Sequence, residues 1–283
     1  FQFVRWEQGK EIVLQAYDRY YDGRPYLDTV AFKIGAKFEE AFTDFLHGDL
    51  EEAIVPSQRT EELHTNERYR QYQTFRKPSL GLLYLGFNTQ YKPFDDKRVR
   101  QALGYAMDRW TGSKNLSQIA IVKTPGGIVF PGSPLAASKE WLSQNVPGFG
   151  PDVKANQAKA QALLKEAGQS DLKVTLWNRA VDQPYKAIGT WMIDEWRKAG
   201  IKADQRVVPT GPWYAGIRTT KDFDVTIDFN PLTIVNPTVD VSKWTTGAGL
   251  NYSNQKDPKT DELYFAMLFE TDAKKQAEKM SDG

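Results

Sequence analysis

The chain has 283 residues, 40% of them hydrophobic and 13% aromatic, which is enough for one large domain or two ordinary domains with packed cores. Thirty-seven Lys and Arg residues balance 36 Asp and Glu residues, so the net charge of +1 creates no field that would attract nucleic acid or an anionic membrane. The absence of cysteine excludes disulfides, thiolate nucleophiles and sulfur-ligated metals, and two histidines are too few for a histidine-rich metal site.

The first part of the sequence predicts a small sheet and a helix. The opening residues form two short strands around a turn at Gln8-Gly9, and a third strand covers Thr29 to Ile34. In "KFEEAFTDFLHG" the apolar residues share one helical face, and Gly48 ends the helix. The stretch "LLYLGFNT", Leu82 to Thr89, is short and almost entirely apolar, which is typical of a strand buried on both faces.

The middle of the sequence predicts two amphipathic helices separated by a long loop. In "PFDDKRVRQALGYAMDR", Asp95 and Asp96 fall in the first turn, where carboxylates interact favourably with the helix dipole. The region from Ser113 to Pro151 is predicted to be loop-like, because "TPGGIVFPGSPL" is rich in proline and glycine. The stretch "ANQAKAQALLKEAG" predicts the second helix, which ends at Gly168.

The last part of the sequence contains a strand-helix-strand pattern. The strands cover Leu172 to Trp177 and Ile201 to Val208, and the helix between them covers Pro184 to Gly200. Such a unit predicts two parallel strands joined by a right-handed crossover. A short helix around "PWYAGIRT" then leads into a strand from Asp224 to Phe229. The fold class predicted by this order of elements is α/β.

No group of residues indicates catalysis. Three pairs of adjacent carboxylates lie at or near predicted helix starts, where interaction with the helix dipole explains them better than acid-base chemistry does. These pairs are Glu39/Glu40, Glu61/Glu62 and Asp95/Asp96. The stretch "TPGGIVFPGS" lacks the Lys and Ser/Thr of a phosphate-binding loop, and His47 beside Gly48 favours a contact with a helix end. We therefore predict no catalytic residue, no metal site and no cofactor.

One long segment resembles a known family. The stretch "LLYLGFNTQYKPFDDKRVRQALGYAMDR" resembles the family 5 extracellular solute-binding proteins of ABC importers, whose middle segment is similar to "lgFNt...pFdDvrVRqAlayAiDR". Other segments of the chain resemble the family's motifs in the same order. These segments are "FVRWEQGKEIVLQAYDRYYDGRPYLDTVAFKI", "FTDFLHGDLEEA", "ANQAKAQALLKEAG" and "NQKDPKTDELYFAM". The resemblance covers nearly the whole chain.

The resemblance implies a two-lobe periplasmic-binding-protein type II fold. Residues 1–89 would form part of lobe one and residues 90–283 most of lobe two, so lobe one is expected to be incomplete. The family captures a small-molecule solute between the lobes and delivers it to the membrane subunits of an ABC permease. This implies a monomer in the periplasm or at the extracellular face of the envelope, with no nucleic-acid partner. The sequence has no apolar run of roughly 18 residues that would predict a membrane span.

The stretch "DVTIDFNPLTIVNP", which begins at Asp224, decides which ligand the resemblance implies. In peptide-binding members the corresponding strand leads into a Trp-x-x-Asp segment whose Asp holds the ammonium group of the peptide. Aligned without gaps, Asn230 occupies the Trp position and Thr233 the Asp position. Because an unmatched buried charge costs about 3–5 kcal/mol, this difference disfavours a peptide held there by its amino terminus.

The main expectation is therefore a polar, uncharged solute such as an oligosaccharide, although turn chemistry beside Pro231 would also explain Asn230 and Thr233. The predicted ligand-binding residues are Asn230, Thr233, Asn236 and Asp228 among polar side chains, and Phe229, Trp213 and Trp244 as stacking faces. Two alternatives stay open. One is an oligopeptide held by another carboxylate, Asp228 or Asp240, and the more remote one is a carboxylate-dependent hydrolase on the same scaffold.

Overall fold

A computed structural model describes residues 1–35, 37–75, 81–119, 125–133, 135–230, 238 and 241–281. The chain divides into two compact units, Phe1–Gln73 and Thr74–Gly283. The fold is mixed α/β, as the sequence predicts, with a three-stranded sheet in the first unit and a four-stranded sheet in the second. The strand Leu82–Phe87, within the residues that we assigned to lobe one, pairs with a strand of the second sheet. The assignment of residues 1–89 and 90–283 to two lobes stays a prediction.

The first unit contains an antiparallel sheet and two helices. Its elements are β1 (Gln2–Glu7), β2 (Glu11–Gln15), β3 (Thr29–Lys33), α1 (Phe38–His47) and α2 (Thr60–Thr65). The strand order is β1-β2-β3, and Gly9 takes a φ of 74° in the predicted hairpin turn. Gly48, with a φ of 87°, ends α1 by donating its N–H to the carbonyls of Asp44 and Phe45, as the sequence predicts.

The second unit contains a mixed sheet in the order β4-β7-β5-β6. Its strands are β4 (Leu82–Phe87), β5 (Lys173–Arg179), β6 (Lys202–Val208) and β7 (Val225–Asn230). Strand β5 pairs in parallel with β6 and β7, whereas β4 is antiparallel to β7. The predicted parallel strand-helix-strand unit is thus confirmed.

The helices of the second unit include four that the sequence does not predict, two of them in or beside the region expected to be a loop and two after residue 250. The helices are α3 (Lys97–Tyr105), α4 (Arg109–Ile119), α5 (Lys139–Asn145), α6 (Val153–Glu166), α7 (Ala187–Lys198), α8 (Thr210–Ala215), α9 (Pro258–Leu268) and α10 (Ala273–Ser281). The prediction of a loop throughout residues 113–151 is therefore wrong for parts of α4 and for α5. Asp108 and Ser138 cap the first turns of these helices by accepting the N–H groups of Thr111 (3.0 Å) and Trp141 (3.1 Å).

The carboxylates near helix starts have structural roles, as the sequence analysis suggests. Glu40 accepts the backbone N–H of Lys37 at the start of α1 (3.1 Å), and Asp96 accepts that of Arg98 before α3 (2.8 Å). Asp96 is the capping residue and so lies one residue before the first helical turn in which we placed it.

The main core of the second unit lies on one face of the sheet, beneath α3, α6 and α7. Trp196 of α7 is 0% exposed, and its indole N–H donates to the carbonyl of Leu103 (3.1 Å). The opposite face carries a smaller apolar cluster that includes Trp177 and Trp213. Strand β4 is at the end of the strand order and is mostly half-buried, so the prediction that both its faces are buried is wrong. No helix in the described part of the chain combines the length and apolarity that a membrane span requires.

Candidate functional site

The parallel strands β5, β6 and β7 end at the same edge of the second sheet, which we call the carboxyl edge. In open α/β sheets this edge is where ligands bind, because loops leave the strands there and side chains can meet across neighbouring strands. Two charged side chains end up at this edge. Arg179 is the last residue of β5, and Asp228 lies two residues before the end of β7.

Three polar side chains share one face of the sheet at the carboxyl edge. Tyr84 on β4 is directly opposite Asp228 on β7. Trp177 on β5 is opposite Thr226 on β7, and Arg179 and Asp228 each lie two residues farther along these strands. Because side chains alternate between faces with a period of two, all three point to the same side. We call Tyr84, Asp228 and Arg179 the edge row.

Asp228 is a buried carboxylate in the centre of the edge row. Asp228 is only 5% exposed to solvent. One oxygen accepts the backbone N–H of Phe229 (2.8 Å), and the other accepts the hydroxyl of Tyr84 (3.0 Å). Burial raises the pKa of Asp228, although these two hydrogen bonds and nearby positive charges act in the opposite direction. Burial and the charge of Asp228 together raise the pKa of Tyr84, so its phenol keeps its proton.

Lys243 brings a positive charge to the same place. It is 5% exposed, and its ammonium nitrogen lies 3.4 Å from the Tyr84 hydroxyl. The same nitrogen lies 4.5 Å from the centre of the Tyr84 ring and 5.6 Å from that of Trp244. The rings of Tyr84 and Trp244 meet edge to face at 5.8 Å. A small concavity lies beside Tyr84, Lys243 and Trp244.

Arg179 is held by aromatic side chains at the other end of the edge row. One terminal nitrogen donates to the hydroxyl of Tyr185 (2.7 Å) and the other lies 3.4 Å from the hydroxyl of Thr210. The guanidinium carbon is 4.5 Å from the centre of the Tyr185 ring and 5.4 Å from those of Trp213 and Tyr214. The aromatic contacts and the Tyr185 bond fix the guanidinium in place before any ligand arrives.

The residues predicted as stacking faces have different positions. Trp244 lies beside the concavity, in a short helical turn at Ser242–Trp244. Trp213 is 0% exposed and donates its indole N–H to Thr226 (3.0 Å), so its ring is used in packing and offers no face to a solute. Phe229 packs against the main core, on the other side of the sheet from Asp228.

The structure describes only some of the residues that were predicted to form hydrogen bonds with the ligand. Asn230 ends β7 and is paired with Leu82 on β4. Thr233, Asn236 and Asp240 lie outside the described residues. Of the predicted site residues, Asp228 and Trp244 therefore lie near the same concavity, each through its contact with Tyr84 or Lys243.

The residues predicted for the site do not include Tyr84, Arg179, Tyr185 and Lys243. Arg179 carried a usable signal, since it is a charged residue at the end of the first strand of a strand-helix-strand unit, where the carboxyl edge must lie. Tyr84 is hidden within an apolar run, and the segment around Lys243 shows no periodicity that places it. No group of metal-binding side chains is found in the described ranges.

The fold of this chain resembles that of known α/β periplasmic binding proteins. The structure of the oligopeptide-binding protein AppA from Bacillus subtilis, in complex with a nonapeptide, matches with a TM-score of 0.82 and 24% identity, over 100% of this chain and 56% of that chain. The Escherichia coli murein tripeptide binding protein MppA matches with a TM-score of 0.83 and 21% identity, over 99% of this chain and 54% of that chain. These matches show the fold, which is that of two-lobe periplasmic binding proteins.

Residues 1–250 match the model for bacterial extracellular solute-binding proteins, family 5 Middle, so the chain belongs to this family. Oligopeptide-binding protein AppA of Bacillus subtilis (strain 168) is 28% identical over 93% of this chain and 49% of its own length. The dipeptide-binding protein of Escherichia coli (strain K12) is 27% identical over 78% of this chain and 39% of its own. These relatives are named as binding proteins and not as enzymes. The chain spans about half the length of the first relative and less of the second.

Proposed function

We propose that this chain is part of the solute-binding component of an ABC importer and that its solute is an oligopeptide. The named relatives bind oligopeptides or dipeptides, which supports a peptide over the oligosaccharide that we expected first. The protein would act as a monomer, in the periplasm or at the outer face of the envelope, and deliver the peptide to permease subunits. It would bind its ligand without chemical change.

The observation that carries the proposal is the buried carboxylate of Asp228 at the carboxyl edge. A carboxylate has about four acceptor positions, and Tyr84 and the N–H of Phe229 occupy two of them. Burial raises the pKa of Asp228, as expected when the surroundings do not fully replace the water that the ionised group has lost. The ammonium group of a peptide would bring a positive charge into direct contact with the carboxylate, so Asp228 can take the role for which Thr233 is unsuited.

An oligosaccharide remains the second candidate for a specific reason. Residues 230–237 contain no charged side chain, and their amide and hydroxyl groups suit hydroxyl-rich ligands. The two candidates differ in one property, because a sugar has no ammonium group and would gain little from a buried carboxylate.

Titration calorimetry of the full-length protein with tetra-alanine and with raffinose-type sugars distinguishes the two candidates. We expect tetra-alanine to bind, and we expect Asp228→Asn to weaken it by about two to three orders of magnitude, because the peptide ammonium would lose its buried partner. Binding of sugars without any binding of peptides would contradict the proposal.

Asp224→Asn is the matched control. Asp224 immediately precedes β7, at the end of the strand opposite the carboxyl edge, and burial raises its pKa as well. This variant removes a half-buried carboxylate from the same segment, so it should leave peptide affinity unchanged. An equal loss of affinity in both variants would show that Asp228 acts through the strand and not on the ligand.

A further inference from the structure

Arg179 has an incomplete set of hydrogen bonds. A guanidinium has five N–H donors, and the hydroxyls of Tyr185 and Thr210 accept from two of them. The Nε–H is buried and has no hydrogen-bond partner in the described part of the chain.

Arg179 also forms no ion pair with a carboxylate among residues that the structure describes. Exposed arginines elsewhere in the protein do form such pairs. Arg24 binds Asp18, and Arg98 binds Asp96 through its terminal nitrogen at 2.6 Å. Arg179 attracts the nearby Asp228 carboxylate without forming an ion pair with it, and an arginine held rigidly in this way is arranged to receive a second anion from outside the chain.

The anion that suits this position is a carboxylate. Its planar pair of oxygens matches the fork of guanidinium N–H groups, and the aromatic side chains around Arg179 leave the cation in a fixed orientation. Asp228 shares the face of the sheet with Arg179 on a neighbouring strand, and neighbouring strands are about 4.8 Å apart. A ligand held by both residues must therefore carry its positive and negative groups close together.

We propose that Arg179 binds a carboxylate that the ligand carries close to its free amino terminus, which rests on the proposed role of Asp228 in peptide binding. In a longer peptide this carboxylate is the side chain of an acidic first or second residue. In a dipeptide it is the terminal carboxylate. In both cases the edge row selects for a peptide with opposite charges near its amino terminus.

Titration calorimetry of the full-length protein with two pairs of peptides tests this selectivity. The first pair is Glu-Ala-Ala-Ala-amide and Gln-Ala-Ala-Ala-amide, and the second is Ala-Ala and Ala-Ala-amide. We expect the carboxylate form to bind about tenfold to a hundredfold more tightly in at least one pair, since a hydrogen bond to a charged group is stronger than one to a neutral amide. The first pair reports on a side-chain carboxylate and the second on a terminal one.

Variants of Arg179 test whether the preference for the carboxylate form of each peptide depends on this side chain. In Arg179→Met the preference should disappear, and in Arg179→Lys it should be reduced, because lysine keeps the charge without the planar fork. Arg206→Met is the matched control. The guanidinium carbon of Arg206 lies 4.5 Å from the centre of the Trp177 ring. Arg206 is on the same face of the sheet as Arg179 but lies opposite Trp177, two residues farther from the carboxyl edge. Its loss should therefore leave the preference for a carboxylate intact.

This inference would be overturned if the wild-type protein bound the two members of each peptide pair equally. That comparison uses the wild-type protein alone, so it does not depend on whether a variant folds. Peptide binding itself would still be observed in that case, so the proposed function would stand. Absence of all peptide binding would instead contradict the proposed function. Loss of the preference in Arg206→Met to the same degree as in Arg179→Met would also overturn the assignment to Arg179.

Discussion

The protonation state of Asp228 is set by effects that act in opposite directions. Removal from water favours its neutral form, while the Phe229 N–H, the Tyr84 hydroxyl and the charges of Lys243 and Arg179 favour the carboxylate. Burial is the largest of these influences, and the pKa is raised as a result. A group in this state gains more from an incoming ammonium than a fully solvated carboxylate does.

Peptide affinity should therefore depend on pH in a defined direction. Only ionised Asp228 can hold an ammonium group, so affinity should be constant from its pKa up to about pH 7.7, where the peptide amino group begins to lose its proton, and fall about tenfold per pH unit below that pKa. Since that pKa is raised, the fall should begin at a higher pH than for an ordinary aspartate. Amidated tetra-alanine is a suitable ligand, because it has no carboxylate of its own and its amino group stays charged below about pH 7.7.

The Asp228→Asn variant provides the control for this pH dependence. Its residual binding of amidated tetra-alanine should not change over the same acidic range, since the group that titrates has been removed. The wild-type protein should also release protons when it binds peptide near the pKa of Asp228, because the ammonium favours the carboxylate form. A wild-type affinity that is flat across the acidic range would show that Asp228 does not contact the ammonium.

At the scale of elements, α7 is held close to the sheet by a small residue. Gly189 lies on the buried face of α7, and a Cβ at this position would clash with Gln205 and lie 2.6 Å from the amide nitrogen of Asn178. That nitrogen donates to Gln205 (2.7 Å) and to the carbonyl of Tyr185 (2.6 Å). The helix, strands β5 and β6, and the segment that carries Tyr185 are therefore connected at this point.

Gly189→Ala should lower the free energy of unfolding by about 1–2 kcal/mol. The added methyl group overpacks the contact with the Asn178 amide, which costs about 1–3 kcal/mol, and alanine's better helix propensity offsets up to about 1 kcal/mol of that. Urea unfolding followed by circular dichroism measures the change. Gly211→Ala in α8 is the control, because no atom lies within 4 Å of the added methyl, and it should be neutral or slightly stabilising. Similar losses in both variants would refute the packing explanation.

Capping interactions mark the limit of sequence-based prediction at this scale. The helices with clear apolar periodicity, α3, α6 and α7, are all predicted, although α3 is shorter at both ends than the stretch assigned to it. Helices α4 and α5 depend on single capping residues, Asp108 and Ser138, inside a region rich in proline and glycine. A single Asp or Ser occurs in loops as often as at caps, so these two helices could not be separated from a loop by pattern alone.

At the scale of the whole molecule, ligand binding should increase the stability of the folded protein. A ligand that binds only the folded state at 100 times its dissociation constant stabilises that state by about 2.7 kcal/mol. Thermal unfolding of the full-length protein should shift upward with tetra-alanine at such concentrations and stay unchanged with raffinose. The shift should be lost in Asp228→Asn and kept in Asp224→Asn. An upward shift with raffinose and none with the peptide would favour the sugar ligand instead.

Local sequence is sufficient for the family, the α/β class and the strand-helix-strand unit. These follow from contiguous motifs and from periodicities among neighbouring residues, which do not depend on how distant parts of the chain pack together. Asp228 was also recognisable as an alternative anchor, because it is a charged residue near the end of a strand that the family uses for its ligand.

The charged site itself depends on tertiary structure. Tyr84, Arg179, Asp228 and Lys243 come from distant parts of the chain, and they meet because β7 lies between β4 and β5 in the sheet. No local pattern specifies this strand order, which results from packing over the whole second unit. The uncharged stretch after Phe229 suggested a sugar because its neighbours in space could not be seen, and the fold places a buried carboxylate and two cations beside the point where that stretch begins.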